Sequence, residues 1–211
     1  MSNKTLFKEF INSYHTNSKY SKSITKLSKS KEKPPRSAVE SSIRLISGDK
    51  LKKKINKWLN NNQININEHS SVDGIGHFYD GNKLKLLFVE FKHISKDDKK
   101  DLDNMIKKCK KDLKIKPLES LNCVLPHLID RFCQNEKYCG KEKEFVSYLY
   151  SCPKAYICVI NDSSPNKLFS QHLMENQDIF DIERLSKHPF DKVETMNPNK
   201  FKEFLKIKFN S

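Results

Sequence analysis

Glycine, tryptophan and long apolar runs are scarce in this sequence. Only five glycines and one tryptophan occur in 211 residues, which argues against an all-β sandwich with its many glycine-rich turns. No apolar run approaches the roughly 20 residues that span a bilayer, and no secretory signal follows Met1. We therefore expect a soluble, intracellular protein, most simply a cytoplasmic one, with no membrane partner.

The sequence also lacks CxxC pairs, although it contains six cysteines. Without a secretory signal, disulfides are not expected. Three of the cysteines fall in apolar patterns typical of core positions. The other three, Cys133, Cys139 and Cys152, are candidates for a metal or iron–sulfur site, but their spacing fits no recognised ligand pattern. The cysteines therefore predict neither a disulfide framework nor a defined metal cluster.

Basic side chains are in clear excess over acidic ones. Forty Lys and Arg residues face 26 Asp and Glu residues, giving a net charge of +14 and a pI near 9.4. Half of that excess, +7, lies in residues 1–36, which are rich in serine and lysine after a short amphipathic pattern over residues 3–14. We expect this segment to be a mobile basic arm with a short helix. The charge predicts a polyanionic partner, nucleic acid before an anionic membrane, although a lysine-rich proteome would give the same excess.

The remaining residues, 37–211, alternate helical and strand patterns and predict one α/β domain. Its core motifs fall within 37–162, and residues 163–211 form a C-terminal extension. Helices are predicted over about 37–46, 51–59, 95–113, 118–133, 142–150 and 198–208, and strands over 63–68, 155–160 and a hairpin of about 72–92.

The hairpin is the most informative of these elements. A turn between Gly81 and Asn82, favoured by the Asp-Gly and Gly-Asn dipeptides, places Asp73 directly opposite Glu90. Alternation of side chains puts Lys92 on the same face, while the rest of the second strand is apolar on both faces. Two opposed carboxylates about 5 Å apart repel each other unless a cation lies between them, and a hard divalent ion with oxygen ligands fits that position.

These residue types suit the hydrolysis of a phosphodiester. That reaction needs an activated water, a neutralised phosphate and a stabilised leaving oxygen, and metal ions held by carboxylates supply all three. Asp73 and Glu90 are the predicted metal ligands. The ammonium group of Lys92, on the same face, is placed to orient or help deprotonate water and to offset phosphate charge.

The arrangement resembles the PD-(D/E)xK, or restriction-endonuclease-like, nuclease superfamily. Val72-Asp73 matches its first motif, with valine in place of proline, and Glu90-Phe91-Lys92 at the end of an apolar strand matches its second. The resemblance covers about residues 37–162. It implies a mixed central β-sheet flanked by helices, dependence on Mg²⁺ with Mn²⁺ as a substitute, and cleavage of DNA or, less often, RNA.

The same resemblance implies a role for Glu40, which matches an acid that many members carry on an upstream helix. Glu40 would then be a third metal ligand beside Asp73 and Glu90 and an auxiliary catalytic acid. His93 directly follows the lysine of the motif, where an additional contact to phosphate or water is one expectation. The size of the chain is compatible with a homodimer, the form of many restriction enzymes.

The three-residue motif alone is not specific, since Asp97-Asp98-Lys99 and Asp112-Leu113-Lys114 also contain it. Only Glu90 ends a strand that is apolar on both faces and has an acid placed opposite. We predict a metal-dependent nuclease, with DNA preferred over RNA on family grounds alone. The alternatives are a nucleic-acid-binding protein of the same fold without hydrolysis, a protein-interaction adaptor, and a hairpin whose glutamate and lysine form a surface ion pair.

Overall fold

The computed structural model describes residues 2–30, 37–62, 70–94, 102–162 and 182–209. These residues form a mixed six-stranded sheet flanked by helices. The predicted α/β class and the mixed central sheet with flanking helices are therefore confirmed. Within the described ranges, no helix combines the length and apolar composition that crossing a bilayer requires.

Helices and strands alternate along most of the chain. The strands are β1 (Ser21–Ser23), β2 (Arg44–Ser47), β3 (Gly74–Asp80), β4 (Lys83–Ile94), β5 (Lys154–Asp162) and β6 (Lys192–Met196). The helices are α1 (Asn3–His15), α2 (Ile24–Leu27), α3 (Gly48–Asn61), α4 (Leu102–Glu119), α5 (Leu125–Cys133), α6 (Glu142–Ser151) and α7 (Pro198–Phe209). A π-helical turn, Ser120–Val124, joins α4 to α5.

The strands lie in the sheet in the order in which they occur in the chain. The first four pair antiparallel, and β4, β5 and β6 are parallel to one another. β4 lies between β3 and β5 and is buried along most of its length. This explains why its sequence is apolar on both faces, as a strand covered on both sides must be. The predicted buried central strand is confirmed.

The hairpin of β3 and β4 has the predicted register. Gly74 pairs with Val89, and Asp80 pairs with Lys83 at the turn. Gly81 has a φ of +59°, a left-handed conformation that glycine adopts without steric cost. Continuing the register by one position sets Asp73 across from Glu90, so the sequence prediction for this pair is confirmed.

Apolar side chains pack against both faces of the sheet. On the first face, Ile75, Leu86 and Phe88 share one cluster with Phe7 and Phe10 of α1 and with side chains of α3, α5 and α6. The second face carries side chains from the central strands and from α2 and α7, namely Phe78, Leu87, Val89, Phe91, Ile157, Ile24, Phe201 and Leu205. The molecule thus has three layers, and Glu90 projects from the first face towards α4.

Residues 2–30 are integrated into this fold. The predicted short helix is present as α1, but its Phe7 and Phe10 are fully buried, and β1 pairs with β2 at the edge of the sheet. The expected mobile arm is therefore wrong for residues 2–30. An amphipathic stripe was visible in the sequence, but nothing local showed that α1 would be covered by α6.

Three predicted helices differ in the structure. The one expected from about Ser37 is absent, since residues 38–43 have no regular secondary structure and Arg44–Ser47 form β2. The helices expected over 95–113 and 118–133 are one continuous helical run from Leu102 to Cys133, which passes through the π-helical turn. The predicted strand over 63–68 and the start of the helix at 95 lie outside the described residues.

Gly48, the first residue of α3, lies too close to another chain segment to carry a side chain. A Cβ there would be 1.7 Å from the carbonyl oxygen of Val72 and 2.3 Å from Oγ of Ser71. Because a backbone oxygen cannot move away alone, we expect Gly48→Ala to destabilise the fold by about 3 kcal/mol or more. Urea unfolding would measure this loss in the free energy of unfolding. Gly81→Asn is the control, and it should lower that free energy by less than about 1 kcal/mol because Asn tolerates a positive φ. Equal stability of Gly48→Ala and wild type would contradict the packing described.

Candidate functional site

Asp73, Glu90 and Lys92 meet at one end of the β3–β4 hairpin. Asp73 directly precedes β3, and its Oδ2 accepts a hydrogen bond of 2.7 Å from the backbone N–H of Phe91 on the facing strand. Glu90 is 1% exposed, and Nζ of Lys92 lies 3.2 Å from its Oε1. The three residues predicted from the hairpin are therefore brought together. A surface ion pair between Glu90 and Lys92 is excluded, because the carboxylate is buried.

A second lysine, Lys116 of α4, contacts the same carboxylate more closely. Its Nζ donates to Oε1 of Glu90 at 2.5 Å, whereas Lys92 also lies 3.9 Å from Oδ2 of Asp112. Both ammonium groups thus approach one oxygen of Glu90. The other oxygen, Oε2, is buried and has no hydrogen-bond partner among the described residues. An unpartnered buried carboxylate oxygen is costly unless it has a ligand to bind.

The end of α4 and the π-helical turn fix the chain that leads into Asp73. Oγ of Ser120 accepts the backbone N–H of Val72 at 3.0 Å, and Oε2 of Glu119 accepts that of Ser70 at 2.5 Å. Within the turn, the N–H of Leu125 bonds to the carbonyl of Ser120, five residues back. Such π-helical turns occur often at functional sites, since they re-aim side chains. Here the turn holds both Asp73 and the Lys116 helix in place.

Burial and neighbouring charge shape the proton affinities of this cluster. Loss of solvation, reinforced by the adjacent Glu90 carboxylate, raises the pKa of Asp73 to about 7 from an ordinary 3.8. Burial disfavours the charged form of Lys116, but the carboxylate of Glu90 outweighs it and raises the pKa of that ammonium. Within the cluster, the protonated form of Asp73 and the charged form of Lys116 are thus both favoured. A divalent cation would favour the ionised form of Asp73.

Asp49, in the first turn of α3, adds a further acidic group near Asp73. The backbone N–H of Gly48 donates to the carbonyl of Asp73 at 3.2 Å, which sets the start of α3 beside the cluster. The charge of Asp49 contributes to the raised pKa of Asp73, and its own side chain is exposed. An acid from a helix upstream of the hairpin is thus present, but it is Asp49 and not the predicted Glu40.

Glu40 is exposed and lies in the irregular segment before β2. The pairing of Ser47 with Gly74 shows that the far end of β2 is the one beside Asp73. The segment that carries Glu40 nevertheless runs back along residues 24–28, because Val39 donates its N–H to Oγ of Ser28, and the carbonyl oxygen of Ser28 lies 2.7 Å from Nε2 of His93 on β4. The helix on which the assignment depended does not form, and the role of Glu40 as a metal ligand stays a prediction.

The side chain of His93 is committed to other contacts. Its Nε2 lies 2.7 Å from the carbonyl oxygen of Ser28, and its Nδ1 lies 3.3 Å from Nδ2 of Asn161. Both ring nitrogens thus contact protein atoms. The expected contact to phosphate or water is not supported, and we interpret His93 as a link between β4 and the N-terminal segment.

Sequence reasoning missed Lys116, Glu119, Ser120 and Asp49. A signal existed for α4, because Asp112, Lys116 and Ser120 recur at intervals of four residues and so share one helix face. These polar residues form one stripe between apolar positions of the helix. Such a stripe indicates that this face of the helix lies against a polar site. Asp49 gave no comparable signal, since its position depends on the close contact between Gly48 and Val72.

The carboxylates of Asp73 and Glu90 fit a hard divalent cation in donor type. Mg²⁺ commonly uses one or two protein carboxylates and keeps several waters, and Oε2 of Glu90 is a buried oxygen without a protein partner. Among the described residues, however, no group of three or more His, Cys, Asp or Glu side chains is arranged to hold a metal ion. This also applies to Cys133, Cys139 and Cys152, which are free thiols. Asp73 and Glu90 would thus supply two carboxylates to a divalent cation.

Comparison of the chain with protein-family models, with curated proteins and with solved structures finds no match. Function is therefore inferred from the geometry of this cluster and from the spacing of its motif.

Proposed function

We propose that the protein is a metal-dependent nuclease that hydrolyses phosphodiester bonds. The observation that carries the proposal is the meeting of Asp73, Glu90 and Lys92 at the end of a buried strand pair, with one oxygen of Glu90 left without a partner. The mixed sheet with flanking helices is what a restriction-endonuclease-like core requires. The family resemblance favours DNA over RNA as the substrate.

Each residue of the cluster has a distinct role in this proposal. Asp73 and Glu90 would hold Mg²⁺ or Mn²⁺, which supplies charge neutralisation at the phosphate and lowers the pKa of bound water. Lys92 is charged and lies beside Glu90, so it orients a water molecule or the scissile phosphate through its N–H groups. Asp49, at the start of α3, takes the place proposed for Glu40 as the additional acid near Asp73.

Lys116 has a different role, because it is the closest cation to Glu90. Its ammonium neutralises the buried carboxylate and thereby stabilises the fold before a divalent ion is bound. Lys116 contacts only Oε1, so Oε2 of Glu90 would remain available to a divalent ion.

One observation favours a second function, a nucleic-acid-binding protein without hydrolytic activity. Two lysines already balance the single buried charge of Glu90, so the cluster has a cationic complement without any metal. Under this alternative the cluster is structural, and affinity for nucleic acid comes from basic surface residues. The two functions differ in whether the protein cleaves in the presence of a divalent metal.

Cleavage assays with Lys92→Met test the proposal. With Mg²⁺ or Mn²⁺ and plasmid DNA, single-stranded DNA and RNA, we expect the wild type to cleave at least one substrate. Loss of the Lys92 ammonium should lower its rate by about a hundredfold or more. Lys85→Met is the matched control, since Lys85 lies on the same strand but pairs with Asp80 at the far end of the hairpin. Equal rates for Lys92→Met and wild type would contradict the assigned role, and binding without cleavage of any substrate would favour the second function.

A further inference from the structure

The exposed side of α3 carries a concentration of basic and amide side chains. The helix contains five lysines and one acid, Asp49. An open depression of about 540 Å³ runs along it, lined among the described residues by side chains of α3, including Lys52, Lys53 and Lys57. Asn56 and Asn60 lie between them. The depression thus combines cations with uncharged hydrogen-bonding groups on one helix face.

Two further lysines of α3, which do not line the depression, contact the N-terminal segment. Nζ of Lys50 donates to the carbonyl of Ser18 at 3.1 Å, and Lys54 contacts Tyr20, with its Nζ 4.5 Å from the ring centroid. These two lysines anchor the helix to the N-terminal segment. The lysines along the depression project in another direction, and Lys53 and Lys57 are exposed. Cations therefore line the depression in addition to those that pack the helix.

The direction of α3 connects this face with the candidate nuclease site. The helix begins beside Asp73 and rises about 1.5 Å per residue, so the face extends about 16 Å from Asp49 to Asn60. Trp58 lies on the same helix but outside the depression, where it is 37% exposed and its ring centroid is 4.8 Å from that of His127. Basic grooves that follow the backbone are the usual surface for a nucleic-acid strand.

We propose that the α3 face, defined by Lys52, Lys53, Asn56, Lys57 and Asn60, binds the phosphate backbone of a nucleic-acid strand and leads it to the Asp73–Glu90 cluster. The ligand class follows from the match of several cations with a linear polyanion. The amides donate hydrogen bonds to phosphate oxygens. The link to the cluster rests on the proposed nuclease function, whereas binding itself does not.

Trp58 reports on α3 without lying in the depression, because it is the only tryptophan in the chain and belongs to the same helix. We expect an unlabelled single-stranded oligonucleotide of about 20 nucleotides to quench its fluorescence in EDTA, where no metal-dependent cleavage occurs. Quenching should weaken with increasing salt. In parallel, the anisotropy of a labelled copy of the same strand measures total binding, wherever on the protein it takes place.

Lys53→Glu/Lys57→Glu should weaken binding at least about tenfold at 0.1 M salt, on the order of two lost phosphate contacts, and flatten the salt dependence. Lys53→Gln/Lys57→Gln removes the two positive charges without adding negative ones, so it should also weaken binding, but by a smaller factor. The matched control is Lys143→Glu/Lys206→Glu, which makes the same change in net charge at exposed lysines of α6 and α7. It should bind within about twofold of wild type if the α3 face is specific.

Three results would overturn the proposal: no binding by the wild type, binding without a change in Trp58 fluorescence, and equal losses in the α3 and control variants. These results separate it from the nuclease assignment. If the protein binds through α3 but never cleaves, the binding surface is supported and the nuclease function is contradicted. If it cleaves while Lys53→Glu/Lys57→Glu binds normally, the nuclease function is supported and the binding surface is contradicted.

Discussion

Asp73→Asn is expected to abolish metal-dependent cleavage and, at the same time, to stabilise the metal-free protein. If Asp73 is a metal ligand as proposed, its loss removes several kcal/mol of transition-state stabilisation, so the rate should fall by at least about a thousandfold. The asparagine keeps an oxygen that accepts the N–H of Phe91 and removes the repulsion between Asp73 and Glu90. A variant that is both inactive and more stable is typical of a residue retained for function.

The stabilisation should depend on pH in a defined direction. Burial and Glu90 raise the pKa of Asp73 from 3.8 to about 7, so between these values the unfolded chain ionises this group and the folded protein does not. Wild-type stability therefore carries a contribution that is complete below about pH 4 and is lost as the pH rises through 7. Above pH 7, Asp73→Asn should be more stable by on the order of 2–4 kcal/mol.

Thermal unfolding of wild type and Asp73→Asn, with and without Mg²⁺, measures this difference in stability. The measurements run from pH 5 to 9 because the pKa of Asp73 is about 7. Mg²⁺ should raise the Tm of the wild type above pH 7, because ionised Asp73 binds it, and leave the variant unchanged. Asp80→Asn is the control, since this carboxyl lies at the other end of β3, and its lysine partners lower its pKa to about 2. A parallel pH dependence of wild type and Asp73→Asn would contradict the role assigned to Asp73.

The centre of this site was predictable because the hairpin specifies itself locally. The turn at Gly81 sets the register, and the register places Asp73 across from Glu90 whatever the rest of the chain does. Lys92 then follows from alternation along one strand. The residues that complete the cluster come from helices whose positions depend on tertiary packing. Lys116 arrives on α4, and Asp49 depends on the approach of α3 to Val72.

The errors in the sequence predictions also have physical causes. Val39, Ile43 and Ile46 recur at helical spacing, yet strand pairing on both sides of β2 outweighs that local preference. The serine- and lysine-rich N-terminus indicated a mobile arm, but the four buried side chains of α1 are enough to hold it against the core. The polar composition of such a segment reflects its exposed side. Whether the segment packs against the core depends on a few large apolar residues.

Glu90→Gln is expected to destabilise the fold by about 3–5 kcal/mol, because it leaves Lys116 and Lys92 without their buried counter-charge. Adding Lys116→Met removes the closer of the two ammonium groups, so the double variant should recover at least about half of that loss. Neither variant should cleave. Recovery of the fold without recovery of activity separates the structural role of the ion pair from metal binding by Glu90.

A double-mutant cycle over these two positions, followed by urea unfolding, gives their coupling energy directly. The matched cycle is Asp80→Asn with Lys85→Met on the same hairpin, a pair only 2.6 Å apart whose carboxylate is 41% exposed. Solvent screens that pair, so its coupling energy should be several times smaller than that of the buried pair. Additive losses at Glu90 and Lys116 would show that the two groups are not energetically linked. Lys116 would then not be the counter-ion of the buried Glu90 carboxylate.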